Sequence, residues 1–403
     1  MKSWPTKPLG EVLLTLETGS RPKGGVGEIP DGIPSVSGEH INREGQFYWN
    51  TPKHITRDFY ARMKRGRIQR GDILVVKDGA TTGKTATVRD NFPFSEAAIN
   101  EHVFLLRTDK TKALPEFVGY FLFGPIGQQQ ILSNFRGAAI GGIAQDFVCN
   151  VHIPLPPLAE QERIVKLLDE ADELRKLRVQ ADHRTAELIP ALFHKTFGDP
   201  ATNPKRWPVK SLRELSEKFS DGPFGSNLKT SHYTESGVRV IRLTNIGVGC
   251  MIDDNKAYVS PEHFEQLNKH KCLPGDVLVG TLGDPNLRAF ILPPEIDMAL
   301  NKSDCVQIRP KKVVAVGEFI CWLLNLPSTL AMASGMILGQ TRSRISMGRL
   351  AELRVPLPPL ALQQEFAKRV TEIRELEASQ ATSRTRLDAL FQSMLYRAFN
   401  GEL

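Results

Sequence analysis

Two short segments carry residue types that could bind and hydrolyse a nucleoside triphosphate. Gly79–Thr85 reads Gly-Ala-Thr-Thr-Gly-Lys-Thr, close to a phosphate-binding loop, and Asp169–Asp172 reads Asp-Glu-Ala-Asp, the acidic box of helicases. A phosphate-binding loop needs four residues between its first glycine and its Gly-Lys pair, and it must continue into a helix. Here three residues separate them, and the β-branched segment Thr85–Val88 is typical of a strand. The sequence therefore predicts that this chain does not hydrolyse ATP.

The acidic segment also lies in the wrong place for a catalytic acid. Such an acid ends a buried strand, whereas Asp169–Asp172 falls inside a heptad pattern of apolar residues. The second copy of that pattern has Thr371–Arg374 there, which keeps the apolar position and loses the acids. Every Pro-Pro pair follows a leucine, unlike the Asp/Asn/Ser-Pro-Pro-aromatic motif of amino-methyltransferases, and the nine histidines lack metal-ligand spacing. The sequence predicts a non-enzyme without catalytic residues or a metal site.

The loop at Gly79 remains a candidate for contacting DNA. A glycine-containing loop with threonine and a cation after a strand can approach a phosphate or a base edge closely, and Gly283–Arg288 repeats it in the second half of the chain. A plain hairpin turn is the alternative. Polar residues after two matching short strands, and a basic loop before the last long helix, extend the set. The predicted DNA-binding residues are Ser37, His40, Asn42, Arg43, Gly79, Thr81, Thr82, Lys84, Arg242, Thr244, Asn245, Gly283, Asn286, Arg288, Arg342 and Arg344.

Two long helices are the elements that would position these loops. Ile153–Ala159 reads Ile-Pro-Leu-Pro-Pro-Leu-Ala and returns, at an offset of 202 residues, as Val355–Ala361. Proline suits the first turn of a helix but not its interior, so each lead-in marks a helix start. Apolar residues then follow on three- and four-residue steps, which predicts a coiled-coil seam over about 35 residues, or about 50 Å. The predicted seam residues are Ile164, Leu167, Ala171, Leu174, Leu188, Leu192, Phe366, Ile373, Leu376, Leu387, Leu390 and Met394. Two ordinary core helices are the alternative.

The repeat extends into the globular parts of the chain. Arg70–Val75 returns as Pro274–Val279, with Gly-Asp-Ile-Leu-Val answered by Gly-Asp-Val-Leu-Val, and Glu116–Phe121 returns as Glu318–Leu323. We therefore predict an α+β fold with two similar globular domains and two long coiled-coil helices that pack on each other. The predicted segments are a first domain at 1–152, a first helix at 153–197, a linker at 198–206, a second domain at 207–354 and a second helix at 355–403.

Composition sets the class of protein. The chain has 403 residues, a hydrophobic fraction of 41% and a charged fraction of 24%, as in a soluble globular protein of two or three domains. Five scattered cysteines and no apolar leader predict a reducing cytoplasm, and no apolar run is long enough for a membrane span. The net charge of +7 permits a polyanionic partner.

The duplicated Pro-Leu-Pro-Pro-Leu-Ala lead-in, each copy followed by a long helix, resembles the specificity subunit of type I restriction–modification systems. Phe197–Pro200, the Gly-Asp-Ile/Val-Leu-Val strands and the ending Phe399–Leu403 carry the same resemblance, which covers essentially the whole chain. The resemblance implies that each globular domain is a target recognition domain for one half of a split sequence in double-stranded DNA. It also implies that the two helices pack antiparallel as coiled-coil spacers, which separate the two target recognition domains and relate them by a pseudo-twofold internal repeat.

The resemblance further implies the partners. Two modification (methyltransferase) subunits would dock along the helices, and restriction (translocase–nuclease) subunits would join them. S-adenosylmethionine, ATP and Mg²⁺ would then belong to the partner subunits only, and this chain would hold no cofactor. The alternative function is a scaffold or adaptor whose paired domains bind proteins rather than DNA.

Overall fold

The structure of the chain, a computed structural model, describes residues 4–51, 53–137, 141–339 and 343–403. It divides into two compact units. Unit 1 consists of Met1–Val179 with Thr382–Leu403, and unit 2 consists of Gln180–Ala381. Each unit contains a globular α+β part together with segments of the long helices.

The elements of the first half of the chain are short strands and helices followed by one long helix. The strands are β1 Thr6–Pro8, β2 Leu13–Thr18, β3 Ile33–Val36, β4 His54–Ile55, β5 Ile73–Val76, β6 Thr85–Thr87, β7 Ala98–Ile99, β8 Val103–Thr108 and β9 His152–Pro154. The helices are α1 Arg57–Arg62, α2 Pro115–Phe123, α3 Pro125–Ser133, α4 Phe147–Asn150, α5 Leu158–Ala186 and α6 Leu188–Phe197.

The second half repeats this order. Its strands are β10 Val209–Ser211, β11 Ser216–Ser220, β12 Tyr233–Thr234, β13 Val238–Ile241, β14 Tyr258–Val259, β15 Lys271–Cys272, β16 Val277–Gly280, β17 Ala289–Ile291, β18 Ala299–Asn301, β19 Cys305–Pro310 and β20 Arg354–Pro356. Its helices are α7 Pro261–Gln266, α8 Gly317–Asn325, α9 Pro327–Ala333, α10 Met347–Ala351 and α11 Leu360–Phe399. Short 3₁₀ turns lie at Leu9–Val12, Gly38–His40, Gly225–Asn227, Thr230–His232, Leu243–Asn245, Asn268–His270 and Ser334–Met336.

The main sheet of unit 1 has four antiparallel strands in the order β2-β8-β5-β6. All four residues of β5 are buried, which explains its uninterrupted apolar run, because a strand covered on both faces shows no alternation. A second sheet, β4-β3-β7, contains a parallel β3–β7 pair. Strand β1 pairs with β9 immediately before the proline-rich lead-in.

Unit 2 has the same main-sheet topology, but its second sheet has five strands, in the order β12-β14-β13-β18-β15, instead of three. Its four-stranded antiparallel sheet runs β11-β19-β16-β17, and its second sheet contains the parallel pair β13–β18. Strand β10 pairs with β20 before the second lead-in, as β1 pairs with β9 in unit 1. The prediction of two similar α+β domains is confirmed by this repeated strand order.

Each hydrophobic core joins a globular part to helix segments. In unit 1, Ile164 and Leu168 of α5 and Phe391 and Leu395 of α11 belong to the core that contains β5, β8 and α2. These segments of α5 and α11 run antiparallel within unit 1. Arg163 donates to the carbonyl of Leu403 at 2.7 Å, and further along α5 Arg175 pairs with Asp388 at 2.8 Å.

The core of unit 2 is built in the same way. Phe193 of α6 stacks on Phe319 of α8 at 5.7 Å between ring centroids and contacts Phe366 of α11 edge-on at 5.5 Å. All three rings are fully or almost fully buried in one cluster. Helix burial therefore contributes to the stability of this globular part as well as to helix pairing.

The first long helix is interrupted, whereas the sequence predicted one continuous helix. It consists of α5 with 29 residues and α6 with 10 residues, separated at Glu187. Pro190 is the physical reason, because a proline lacks the N–H that would reach the carbonyl four residues earlier, here Ala186, and its ring clashes with that carbonyl. The second long helix, α11, runs unbroken for 40 residues, or about 60 Å.

The predicted seam is also corrected. Ile164 and Phe366 are buried, but Leu174, Leu188, Leu376 and Leu390 are 43–54% exposed. Leu167, Ala171, Leu192, Ile373, Leu387 and Met394 are half-buried. The spacing of the leucines does not identify the buried face of α5, because that face continues from Ile164 through Leu168 to Arg175. Arg175 is a largely buried arginine, which an apolar pattern cannot reveal.

Within the described residues, no single helix combines the length and apolar composition needed to cross a membrane; one bent pair, residues 317–325 with 327–336, passes that test only when both members are counted together. In the same part of the chain, no group of three or more His, Cys, Asp or Glu side chains is arranged to hold a metal ion.

Candidate nucleic-acid interface

The Gly79 loop is a tight hairpin between two antiparallel strands. Gly79 and Gly83 have φ angles of +84° and +87°, which a side chain would strain. The Gly83 N–H donates to the last residue of β5 at 2.8 Å, and the Thr82 hydroxyl donates to the Gly79 carbonyl at 2.7 Å. Lys84 donates its ammonium to the Ile41 carbonyl at 3.0 Å. No helix N-terminus follows the loop, because β6 begins at once, so the loop lacks the geometry of a phosphate-binding loop.

Two further segments of unit 1 meet this loop. The N–H of Lys77 donates to the His102 carbonyl at 2.9 Å, and the N–H of Ile143 donates to the Lys77 carbonyl at 2.7 Å. The N–H of Gly79 reaches the Gly141 carbonyl at 3.3 Å. Between these backbone contacts, His102 Nδ1 lies 2.6 Å from Asp78 Oδ1. The interface loops of unit 1 are therefore residues 77–84, 100–102 and the described residues of 136–143.

Unit 2 joins three loops through the same backbone hydrogen bonds, and the place where the three loops meet in each unit is called the loop junction. The N–H of Thr281 donates to the Asp304 carbonyl at 2.9 Å, and that of Ile345 donates to the Thr281 carbonyl at 3.0 Å. The N–H of Gly283 donates to the Ser343 carbonyl at 3.1 Å. The interface loops of unit 2 are therefore residues 281–288, 302–304 and 343–345.

The side chains on the junction of unit 2 differ from those of unit 1. Asn286 donates its amide to the Ser343 carbonyl at 2.9 Å, which ties two of the loops together. Arg344 Nε lies 2.7 Å from Asp304 Oδ1, and its guanidinium lies 5.6 Å from the ring centroid of Phe224. One backbone frame thus carries an Asp–His pair in unit 1 and an Asp–Arg–Phe group in unit 2.

Three of the predicted DNA-binding residues, Ser37, His40 and Asn245, are buried and form hydrogen bonds within the protein. Their assignment as DNA contacts is therefore wrong. The Ser37 N–H donates to His40 Nδ1 at 3.0 Å, and His40, 1% exposed, has its other ring nitrogen 3.1 Å from the Thr51 carbonyl. Asn245 is fully buried, and its side-chain oxygen accepts from the Arg242 N–H at 3.0 Å. Polar residues after a short strand here cap a 3₁₀ turn instead of facing solvent.

The remaining predicted residues differ in accessibility. Arg43, Gly79, Thr244 and Arg344 are exposed. Asn42, Thr81, Thr82, Lys84, Arg242, Gly283 and Arg288 are half-buried, and Asn286 is 6% exposed. Arg342 lies outside the described residues. The structure brings the Gly79 loop next to residues 141–143 and the Gly283 loop next to Arg344, but it does not bring Ser37, His40, Asn245 or Asn286 to an accessible surface.

Sequence reasoning missed Asp78, His102, Phe224 and Asp304. A signal for two of them was present, because His102 and Asp304 stand at equivalent positions of the repeat and differ in charge. A matched position that holds its backbone role and changes its side chain is where two similar domains would differ in what they bind.

A buried ion pair supports the strand that leads into each junction. In unit 1, Asp72 is fully buried and accepts from Arg107 Nε at 2.7 Å and Nη2 at 2.8 Å. In unit 2, Asp276 accepts from Arg309 with the same two distances. Burial raises the pKa of the Asp72 carboxyl, while the hydrogen bonds and charge of Arg107 act against that rise. The aspartate of the repeated Gly-Asp motif therefore has a structural role, because it forms this buried ion pair in both units.

The acidic segment on α5 also has a structural use. Asp169 accepts from Arg89 at 2.5 Å and from the Tyr120 hydroxyl at 2.6 Å. Tyr120 is 7% exposed, and its burial raises the pKa of its hydroxyl, so it stays a hydrogen-bond donor at neutral pH. Asp169 therefore attaches the globular part of unit 1 to α5 and is not at the end of a strand, where a catalytic acid would be.

Comparison with known proteins gives consistent similarities. A family model described as the type I restriction modification DNA specificity domain matches residues 1–181. The chain is 22% identical over 396 residues to the type I restriction enzyme MjaVIII specificity subunit of Methanocaldococcus jannaschii, covering 93% of this chain and 87% of that protein. It is 26% identical over 356 residues to the EcoKI specificity subunit of Escherichia coli, covering 82% of this chain and 74% of that protein.

A solved structure is similar over the full length. A chain of the solved structure described as "Structural basis underlying complex assembly and conformational transition of the type I R-M system" matches this protein with a TM-score of 0.64 and 21% sequence identity. The match covers 100% of this chain and 98% of that chain, which supports the two-domain fold.

Proposed function

We propose that this chain is a DNA specificity subunit of a type I restriction–modification system, as the matched family model and the named relatives indicate, and that each globular part reads one half of a two-part target in double-stranded DNA. Recognition of DNA sequence within a restriction–modification complex is the function of the family. The observation that carries the two-part proposal is the loop junction, which has the same backbone bonds in both units and different side chains. Equal frames with unequal side chains suit two domains that read different bases.

In this proposal, the globular domains and the long helices have separate roles. Residues 1–152 and 207–354 are the two target recognition domains, joined through the linker at 198–206 and through spacer helices at 153–197 and 355–403. Two modification subunits dock along these helices, and restriction subunits complete the complex. The exposed leucines at 174, 188, 376 and 390 support such docking, because exposed apolar side chains along the long helices favour a protein partner.

The chemistry then belongs to the partners. The chain itself is non-catalytic and holds no cofactor, while the methyltransferase subunits bind S-adenosylmethionine and the restriction subunits use ATP and Mg²⁺ in the cytoplasm. A protein scaffold is not favoured, because the relatives are named as specificity subunits of restriction enzymes.

The test is co-expression of this chain with its modification subunit, followed by mapping of adenine methylation across the host genome. We expect a new motif with two short specified halves separated by unspecified bases. Cells that express the modification subunit alone are the control and should lack the motif. Methylation without a split motif, or a stable complex without methylation, would contradict the proposal.

Salt dependence separates DNA recognition from a scaffold role. Binding to phosphates releases counterions, so the affinity of the purified complex for a duplex with the mapped motif should fall steeply as the salt concentration rises. Assembly with a purified protein partner through apolar surfaces should change little over the same range. A complex that assembles but shows no salt-sensitive binding to DNA would support the scaffold.

A further inference from the structure

Arg344 is held in one orientation at the loop junction of unit 2. Its backbone N–H and carbonyl both bond with Leu338, at 2.8 Å each, so its main chain is fixed within a small β-bridge. Its side chain is fixed by Asp304 on Nε at 2.7 Å and by the Phe224 ring at 5.6 Å. A long side chain that is already ordered loses less conformational entropy when it binds.

The same contacts leave the far side of the guanidinium available. The Arg344 side chain is 43% exposed, and among the described residues neither of its two Nη groups donates a hydrogen bond. Phe224 beside it is also 49% exposed. The two Nη groups form a fork of parallel donors, which matches the O6 and N7 acceptors that guanine presents in the major groove.

The carboxylate beside Arg344 favours a base over a phosphate. Asp304 neutralises the charge of the guanidinium, so the pair gains little from the release of counterions around the DNA backbone. The donors nevertheless keep their geometry and can still form directed hydrogen bonds to a base edge. Accordingly, we infer that Arg344 is a specificity-determining residue that reads a guanine in the half-site contacted by unit 2. This inference rests on the proposed function.

Unit 1 has no residue that could act in this way at the equivalent position. Gly142 makes the bridge to Arg136 that Arg344 makes to Leu338. A Cβ on Gly142 would lie 2.5 Å from the Lys77 carbonyl oxygen and 2.8 Å from Asp78 Cβ, so a side chain cannot be accommodated there without movement. The guanine contact is therefore specific to unit 2, and only one of the two half-sites should depend on it.

The experiment uses the complete complex of this chain with its modification subunit. Once methylation mapping has given the target, each base pair of both half-sites is replaced in turn, and the affinity for every duplex is measured by competition. The variants are Arg344→Ala, Arg344→Lys and Asp304→Asn. Arg349→Ala is the matched control, because it removes the same charge from an exposed side chain five residues further along the chain.

For the unaltered complex, we expect one G·C pair to be preferred over its replacements by about ten- to a hundredfold, the range for a bidentate arginine–guanine contact. Arg344→Ala should reduce that preference to less than about threefold and leave the preferences at the other positions unchanged. Arg344→Lys should retain part of the preference, Asp304→Asn should lower it by a smaller factor, and Arg349→Ala should leave the profile unaltered.

Equal weakening at every position in Arg344→Ala would identify a phosphate contact and overturn the inference, as would an unchanged profile. Both outcomes leave the proposed function intact, because the unaltered complex still discriminates between sequences. A complex without position-dependent affinity before any substitution would instead overturn the proposed function itself. A melting curve of each variant that matches the unaltered chain excludes misfolding as the cause.

Discussion

At the scale of single residues, the ion pairs Asp72–Arg107 and Asp276–Arg309 connect the repeated Gly-Asp motif to the interface. Each aspartate is almost completely buried and accepts hydrogen bonds from Nε and Nη2 of its arginine. The strand that follows each aspartate leads directly into an interface loop. Removing one member of a buried pair is costly because the other charge is left uncompensated.

We expect Arg107→Met to lower the free energy of unfolding of unit 1 by about 3 kcal/mol at pH 7, because the Asp72 carboxylate loses its partner. Burial already raises the pKa of Asp72, and Arg107 opposes that rise. Without Arg107 the pKa rises further, so the folded state takes up a proton more readily than the unfolded chain does. The loss of stability should therefore shrink as the pH falls from 7 towards 5.

Urea unfolding at both pH values measures this effect. The control is Arg57→Met, which breaks an ion pair with Glu96 whose side chains are 64% and 46% exposed, and which should cost less than about 1 kcal/mol. Equal losses for the two variants, or a loss for Arg107→Met that grows at pH 5, would contradict the role given to this pair.

The residue scale also shows where prediction from sequence fails. Residue type identified Ser37, His40 and Asn245 as contact candidates, but their partners are backbone groups that meet them only after folding, such as the Thr51 carbonyl for His40 and the Ile252 carbonyl for Asn245. Arg344 was identified by the same reasoning and lies on the surface. A sequence contains the donors and acceptors, but the pairing among them depends on tertiary structure.

At the scale of elements, a buried glutamine attaches each long helix to its own globular part. Gln161 accepts from the Leu114 N–H at 2.9 Å and donates to the Lys112 and Pro156 carbonyls at 3.0 and 2.9 Å. Its equivalent, Gln363, makes the corresponding three bonds at 3.0, 3.2 and 2.8 Å. Both side chains are fully buried, and both lie just after the proline-rich lead-in. The same device therefore sets the start of both helices.

Gln161→Leu should lower the free energy of unfolding by about 2 kcal/mol or more, because three buried backbone groups lose their partners. It should also speed hydrogen exchange at the Leu114 amide, which the glutamine accepts from in the native chain. Glu162→Leu, the exposed neighbour on the same helix, is the control and should leave that amide unchanged. Equal protection of Leu114 in both variants would show that the glutamine does not hold this junction.

Prediction succeeded for the order of the elements and failed for the faces of the helices. The constant spacing of the lead-ins located both helix starts, since it depends only on chain order. The buried face could not be read from leucines, because α5 and α11 carry apolar residues on two sides and bury Arg175 on the inner one. The break before α6 follows from Pro190, because a proline inside a helical pattern removes a backbone hydrogen bond and clashes with the preceding turn.

At the scale of the whole molecule, one main-sheet topology occurs twice with different side chains at its loops, and helices of 29, 10 and 40 residues connect the two occurrences. Under the proposed function this arrangement predicts a target whose halves differ in sequence. It also predicts that the number of unspecified bases between them depends on helix length, because a helix adds a fixed rise of about 1.5 Å per residue.

Removing one heptad from the polar middle of α5 and one from α11 tests this dependence. The heptad phase is kept, so the helices can still pair, but each becomes shorter by about 10 Å, equivalent to about three base pairs at 3.4 Å per pair. We expect the preferred spacer in a library of targets with all spacer lengths to shorten by about that amount, or recognition to be lost if the modification subunits no longer fit. Inserting a heptad in each helix is the converse control and should lengthen the spacer by the same number of base pairs. A deletion variant that assembles, methylates DNA and prefers the original spacer would show that some part of the complex other than these helices measures the distance between the half-sites.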